Sequence, residues 1–176
     1  MKIICRPSAL LVTALISLVV AAPVRANEEL YFSRSDPVEK ILVQEIARAT
    51  KSIHLLMYSF TDDALAGALV QAQRRGVDVK IVFDRSQTFE KHSLANFILE
   101  KLGPSRCEFR TGKGRGIMHE KMAIYDDADV SMGSFNWTDN ARDNNWENLD
   151  IIHDAKIAAS CEREFQRLWS SPDKDK

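Results

Sequence analysis

Residues 52–84 alternate between the patterns of a buried strand, an amphipathic helix and a second strand. An apolar run at 52–60 has the length of a strand, and the helical spacing of 64–75 is closed by Gly76. The segment 77–84 then places an apolar residue at every second position, which is typical of a strand. Strands that alternate with helices predict an α/β fold, with a mixed but mostly parallel sheet flanked by helices.

The same reasoning extends over the rest of the chain. Ser35-Asp36-Pro37 is a good helix start, because a capping side chain precedes a proline in the first turn. The other predicted elements are helices over 35–50, 93–102 and 155–169, strands over 107–110 and 148–152, and a β-hairpin that turns at 126–127. The chain shows no internal repeat.

The first segment has the organisation of a secretory signal. Two basic residues precede an uncharged apolar run at 9–22, and residues 24–26 resemble a signal peptidase site. The run is shorter than the roughly 20 residues of a membrane span, so we expect cleavage of 1–26 rather than an uncleaved anchor. Residues 27–176 then form one domain that is periplasmic or secreted and has no stable membrane association.

The charge of the chain argues against general binding of polyanions. The formal net charge is −1, and the part beyond residue 26 is more acidic because three basic residues leave with the signal. Affinity for nucleic acid would therefore come from a local basic patch.

Cys107 and Cys161 are the two cysteines outside the predicted signal. In an oxidising compartment they are able to pair, but pairing depends on geometry that a sequence does not reveal. A disulfide and two buried free thiols both remain open. The spacing of the cysteines and histidines does not match a metal site.

The predicted hairpin carries an unusual set of polar side chains. His119 and Lys121 lie two apart and therefore on one face of a strand, and the returning strand brings Ser134 and Asn136 back beside them. An imidazole, an ammonium, a hydroxyl and an amide together supply donors for an anion rich in oxygen, such as phosphate. The alternative is a hydrogen-bonded histidine in a sheet with a lysine reaching solvent, but burying four polar groups would then be costly.

The spacing His119-x-Lys121-x4-Asp126-x6-Gly133-Ser134-x-Asn136 resembles the HKD motif of the phospholipase D superfamily. The resemblance extends to the strand–helix–strand unit at 53–84 and to NWENLDII after the motif. Both segments are similar to the small bacterial Nuc-type endonucleases, which are also secreted and carry one motif.

The resemblance implies a mechanism without metal or cofactor. One histidine attacks phosphorus to form a phosphohistidine, and a second histidine protonates the leaving oxygen. Because this chain has one motif, the second histidine would be His119 of another copy, which implies a homodimer. Lys121, Asn136 and Ser134 would hold the phosphate oxygens.

Two carboxylates receive different predicted roles. Asp126 lies at the hairpin turn, where its carboxylate suits a structural role, and the family resemblance implies the same. Glu147 resembles the carboxylate that orients the imidazole in Nuc-type enzymes, and the alternative is a solvent-facing residue of the next strand.

The substrate is suggested by a basic glycine loop that precedes the motif. Arg110, Lys113 and Arg115 are predicted to contact a phosphodiester backbone, the alternative being an ordinary solvated loop. Trp137 and Trp146 flank the site in sequence and either stack on bases or pack in the core or dimer contact. The prediction is a non-specific endonuclease acting on DNA, with RNA left open; the alternative is hydrolysis of phospholipid headgroups.

Overall fold

A computed structural model describes residues 27–110 and 116–171. The strands are β1 (Asn27–Phe32), β2 (Ser52–Met57), β3 (Asp78–Asp84), β4 (Cys107–Arg110), β5 (Lys121–Tyr125), β6 (Asp129–Gly133) and β7 (Asn148–His153). The helices are α1 (Val38–Arg48), α2 (Asp63–Arg74), α3 (Ala95–Leu102), α4 (Asp139–Asp143) and α5 (Ala155–Trp169). Short 3₁₀ turns occur at Ser86–Phe89 and Pro104–Arg106.

The strands form one mixed sheet in the order β1-β7-β6-β5-β2-β3-β4. The α/β class and the mixed sheet flanked by helices are confirmed, but the expected parallel majority is wrong. Of the six strand pairs in residues 27–110 and 116–171, two are parallel, β2–β3 and β3–β4, whereas β1–β7, β7–β6, β6–β5 and β5–β2 are antiparallel. The regular alternation of strand and helix ends at β4, and β5 and β6 follow one another as a hairpin. The β5–β6 hairpin joins the same sheet and pairs antiparallel, as its short three-residue connection requires.

Alternate strand residues face two apolar layers. On β2, Ile53 and Leu55 belong to a core cluster with α1, α2 and α3, while Leu56 faces the cluster beneath α5. This alternation follows from the two-residue repeat of a strand and produces helices on both faces. Because helices cover both faces of the sheet, the ends of the strands are the places where polar groups are presented.

The two cysteines lie on opposite sides of this sheet. Cys107 packs in the α1–α3 cluster and Cys161 in the α5 cluster, and both are buried free thiols. Burial raises the pKa of the Cys107 thiol to about 12 and also raises that of Cys161. The structure therefore favours the second of the two alternatives, free thiols rather than a disulfide.

The sequence did not predict β1 or α4. The β1 sequence NEELYF is mostly exposed, so it lacks the alternation of a half-buried strand, and it is held to β7 by backbone pairing. The five-residue α4 begins at Thr138, whose side chain accepts from the Ala141 amide.

None of the helices in residues 27–110 and 116–171 is long and apolar enough to cross a membrane. The predicted signal at 1–26 lies outside the described residues, as do Lys113 and Arg115.

Candidate active site

His119 lies just before β5, in an irregular segment at 116–120. Hydrogen bonds hold this segment on both sides of the histidine: the Met118 amide donates to Asp84 Oδ2 at 2.7 Å, and the Tyr58 amide donates to the Glu120 carbonyl at 2.9 Å. His119 itself is exposed. The structure thus presents an accessible imidazole on a backbone that is anchored at its neighbours.

Lys121 is a buried ammonium beside this histidine. Its side chain is 8% exposed, and Nζ donates to the His119 carbonyl at 2.8 Å. In the described part of the chain, no carboxylate forms an ion pair with it within 4.0 Å. Burial lowers the pKa of Lys121, although the charges of Glu147 and Glu120 oppose that shift. Nζ makes one hydrogen bond among the described residues, so the amino group has donor capacity left for an external anion.

Tyr58 connects the two side chains and was not predicted from the sequence. Its ring meets the His119 ring edge-on at a centroid distance of 4.6 Å, and Lys121 Nζ lies 4.8 Å from its centroid. The cation–π contact partly replaces the water lost by the ammonium. The contact depends on the pairing of β2 with β5, which places Met57, the residue before Tyr58, opposite Lys121, and the sequence carried no signal of that pairing.

Gly133 allows the returning strand to approach β7 closely. A Cβ atom at this position would lie 2.3 Å from the Asn148 carbonyl oxygen, so only glycine fits. That carbonyl accepts the amides of Ser134 at 3.1 Å and Phe135 at 3.3 Å. The glycine of the motif therefore sets the position of the serine that follows.

Ser134 and Glu147 form a hydrogen-bonded pair. Ser134 Oγ donates to Glu147 Oε2 at 2.5 Å, and Asn145 Nδ2 donates to the other carboxylate oxygen at 2.8 Å. The His119 ring makes no hydrogen bond with Glu147 among residues 27–110 and 116–171. The predicted orienting role of Glu147 therefore stays a prediction, while its charge acts on Lys121.

Asn136 has unused hydrogen-bonding capacity. Its Oδ1 atom is buried and has no partner within the described residues. A buried amide oxygen without a partner is costly, so its presence is consistent with a group that a ligand or second chain completes.

Asp126 lies at the opposite end of β5 from His119. Its carboxylate accepts from the amides of Thr50, Lys51 and Ser52 and from the Thr50 hydroxyl, at 2.7 to 3.1 Å. These contacts join the hairpin to the start of β2, in agreement with the structural role expected for it.

Arg110 does not reach out to solvent as the basic-loop prediction requires. The residue is 7% exposed, and its guanidinium donates to the carbonyls of Leu168 at 2.6 Å and Trp169 at 2.7 Å, as well as to Glu108. It caps the end of α5, so we withdraw it as a substrate contact.

Trp137 and Trp146, the two tryptophans near the motif, differ in burial. Trp137 is 2% exposed and packs on Phe60 at a centroid distance of 5.3 Å, so it is a core residue. Trp146 is 86% exposed beside Glu147. Of the two, Trp146 is the one that a ligand or partner is able to contact.

Comparison with known proteins agrees with this geometry. The family model described as "Cardiolipin synthase, PLD-like domain" matches residues 42–169. The chain is 36% identical over 136 residues to "Phospholipase D" of Rickettsia prowazekii, covering 77% of this chain and 64% of that protein, so it spans less than two thirds of this relative.

Two solved structures share the fold. The phospholipase D family member Nuc from Salmonella typhimurium is 32% identical with a TM-score of 0.73, covering 82% of this chain and 95% of that one. NucT from Helicobacter pylori is 28% identical, also with a TM-score of 0.73, covering 84% and 98%. The chain therefore belongs to the phospholipase D superfamily and is of the Nuc type.

Proposed function

We propose that this protein is a non-specific endonuclease that hydrolyses phosphodiester bonds of DNA without a metal. The observation that carries the proposal is Lys121, a buried ammonium that no carboxylate pairs with in the described part of the chain, next to an accessible imidazole. A buried cation without a counter-ion is unfavourable unless an anion binds there. A phosphodiester supplies such an anion directly beside a nucleophile.

The chemistry follows from the groups present. The neutral imidazole of His119 attacks phosphorus, and the bond from phosphorus to the leaving oxygen breaks as that oxygen takes a proton from a second imidazolium. A water then attacks the phosphohistidine and gives its proton to the second imidazole, which restores both histidines. Lys121 and the amide NH₂ of Asn136 stabilise the charge on the non-bridging oxygens, and Ser134 joins them when its hydroxyl turns from Glu147 to the phosphate.

The second imidazole comes from a second copy of the chain. The chain carries one motif, and His54, the buried histidine of the core, is bound to Glu162 at 2.9 Å and stacked on Phe165. An isologous dimer would bring two His119 side chains to one phosphate across its two-fold axis. The unpaired Asn136 oxygen is consistent with a site that a second chain completes.

Nucleic acid is preferred as substrate for two reasons. The chain resembles the Nuc-type endonucleases in its single motif and in the segments on both sides of it. Trp146, exposed beside Glu147, offers a flat surface to bases, which stack on aromatic side chains regardless of sequence. We place the enzyme in the periplasm or outside the cell after cleavage of 1–26.

Hydrolysis of phospholipid headgroups is the second candidate. It uses the same chemistry, and it is favoured by the name of the Rickettsia relative and by the exposed Ile117 and Trp146 close to the site. An apolar rim of this kind also suits a lipid surface.

The experiment compares substrates in the presence of EDTA. Residues 27–176 are incubated with plasmid DNA and, separately, with phosphatidylcholine vesicles. We expect DNA cleavage that survives the chelator, loss of activity by several orders of magnitude in His119→Ala, and wild-type activity in the exposed-histidine control His92→Ala. Release of choline without DNA cleavage would support the second candidate, and activity that EDTA abolishes and Mg²⁺ restores would contradict the mechanism.

A further inference from the structure

Asp84 is a fully buried carboxylate at the end of β3. Within residues 27–110 and 116–171 it accepts from three donors: the Ser86 amide at 2.9 Å, the Ser86 hydroxyl and the Met118 amide at 2.7 Å. Oδ1 accepts both bonds from Ser86, while Oδ2 accepts the bond from Met118. The carboxylate therefore connects β3 to the segment that carries His119.

Few backbone hydrogen bonds hold that segment, although the Met118 side chain is buried in the cluster beneath α5. Residues 116–120 are not part of a strand, so the ladder that holds β5 begins only after the histidine. Among the described residues, three hydrogen bonds hold the backbone of 118–120: the Met118 amide to Asp84 before His119, Lys121 Nζ to the His119 carbonyl, and the Tyr58 amide to the Glu120 carbonyl after it. Removal of the first bond would release one side of the nucleophile.

We infer that Asp84 is a positioning residue for His119, and that it holds the imidazole in the attacking position through the Met118 amide. The inference rests on the proposed function, in which His119 is the nucleophile. A displacement of about 1 Å at a reacting group is able to lower the rate about 100-fold.

The arrangement requires a carboxylate rather than an amide. The three groups that contact the Asp84 carboxylate in the described part of the chain all act as donors, and a carboxylate offers acceptors on both oxygens. Asparagine has one acceptor oxygen, so its NH₂ group would face either Ser86 or the Met118 amide. Asp84→Asn should therefore disturb the position of the segment with little change in side-chain volume.

Asp62 provides a matched control. It is equally buried, and it also accepts a backbone amide, that of Leu65 at 3.0 Å, at the start of α2. It pairs with Arg142 at 2.9 Å and does not contact residues 116–120. Asp62→Asn thus measures how far kcat changes when a buried carboxylate away from His119 is altered.

The experiment measures DNA cleavage for wild type, Asp84→Asn and Asp62→Asn at a temperature where circular dichroism shows each to be folded. We expect Asp84→Asn to lower kcat about 100-fold with KM within about twofold, because positioning acts on the chemical step. Asp62→Asn should keep kcat within about threefold, as expected of a change away from the reacting groups. A kcat for Asp84→Asn within threefold of wild type would overturn the inference.

Amide hydrogen exchange provides the second measurement. In the wild-type protein the Met118 amide should exchange slowly, like the amides of β5, although it lies outside the strand. If Asp84→Asn does not fold, the exchange rate of the wild-type Met118 amide tests the inference. Slow exchange supports a lasting hydrogen bond from this amide to Asp84, and rapid exchange overturns the inference. If the wild-type protein is as inactive as His119→Ala on every phosphodiester, the proposed function is contradicted. The exchange rate of the Met118 amide would still test its hydrogen bond to Asp84.

Discussion

Asp126→Asn tests whether the third named residue of the HKD motif acts in catalysis or in folding. The carboxylate accepts the amides of Lys51 at 2.7 Å and Ser52 at 3.0 Å, and both the amide and the hydroxyl of Thr50. Asparagine tolerates the left-handed backbone found at Asp126, where φ is 54°, so the substitution changes the carboxylate and leaves the turn intact.

The size of the effect follows from these bonds. The remaining oxygen of asparagine is able to keep the bonds from Lys51 and Ser52 and the 3.1 Å bond from the Thr50 amide, but without the negative charge. The bonds of the Thr50 amide and hydroxyl to the second oxygen are lost. Since hydrogen bonds to a charged group contribute about 1.5–3 kcal/mol each, we expect a loss of about 3 kcal/mol in the free energy of unfolding. For a domain of this size that corresponds to about 6–12 °C in Tm.

The pH dependence has a defined sign. Burial acts to raise the pKa of Asp126, but the hydrogen bonds from Lys51, Ser52 and Thr50 outweigh it, so the pKa lies below its ordinary value. The carboxylate then contributes stability above its unfolded pKa of about 3.9, and this contribution disappears as the pH falls through the lower folded value. Asp126→Asn should therefore lose less stability than wild type on acidification.

The assay combines urea and thermal unfolding with cleavage rates measured well below Tm. Asp127→Asn is the matched control, because Asp127 occupies the same turn with φ of 57°, is exposed, and makes no side-chain hydrogen bond with the described residues. We expect a large loss of stability and unchanged kcat for Asp126→Asn, and neither change for Asp127→Asn. A fall in kcat of Asp126→Asn at unchanged Tm would refute a purely structural role of the Asp126 carboxylate.

Three further predictions concern the site itself. Lys121→Met should lower activity about 10²- to 10³-fold, while Tm stays equal or rises, because the substitution removes a buried charge. Gly133→Ala should lower Tm and activity together, since its Cβ would lie 2.3 Å from the Asn148 oxygen and push β6 from β7. Subunit exchange between equal amounts of wild type and His119→Ala should give about one quarter of the activity of pure wild type at the same total protein concentration, because a composite site needs two intact chains.

Each of these has its own control. If Lys121→Met is less stable than wild type, the contacts of the ammonium in the free protein outweigh the cost of burying it, contrary to the proposal. Gly67→Ala is the counterpart of Gly133→Ala: no atom lies within 4 Å of its added Cβ inside α2, so stability should rise by about 0.5–1 kcal/mol. In the mixing experiment, half of the wild-type activity rather than one quarter would mean that each chain has an independent site.

Local features of the chain were predictable from the sequence because neighbouring residues determine them. The α2 cap at Asp62, the turn at Asp126-Asp127 and the bounds of α5 follow from side chains within a few positions of each element. The spacing from His119 to Asn136 predicted the family, since a hairpin brings these positions together whatever surrounds it.

The tertiary structure decided what depends on residues far apart in the chain. Tyr58 meets His119 because β2 pairs with β5, and Asp84 reaches Met118 from 34 positions away. In the same way, Arg110 is bound by carbonyls at the end of α5. The sequence by itself determined which groups the hairpin carries. The order of strands in the sheet determined what touches them, because periodicity reports the face of an element and not its neighbour.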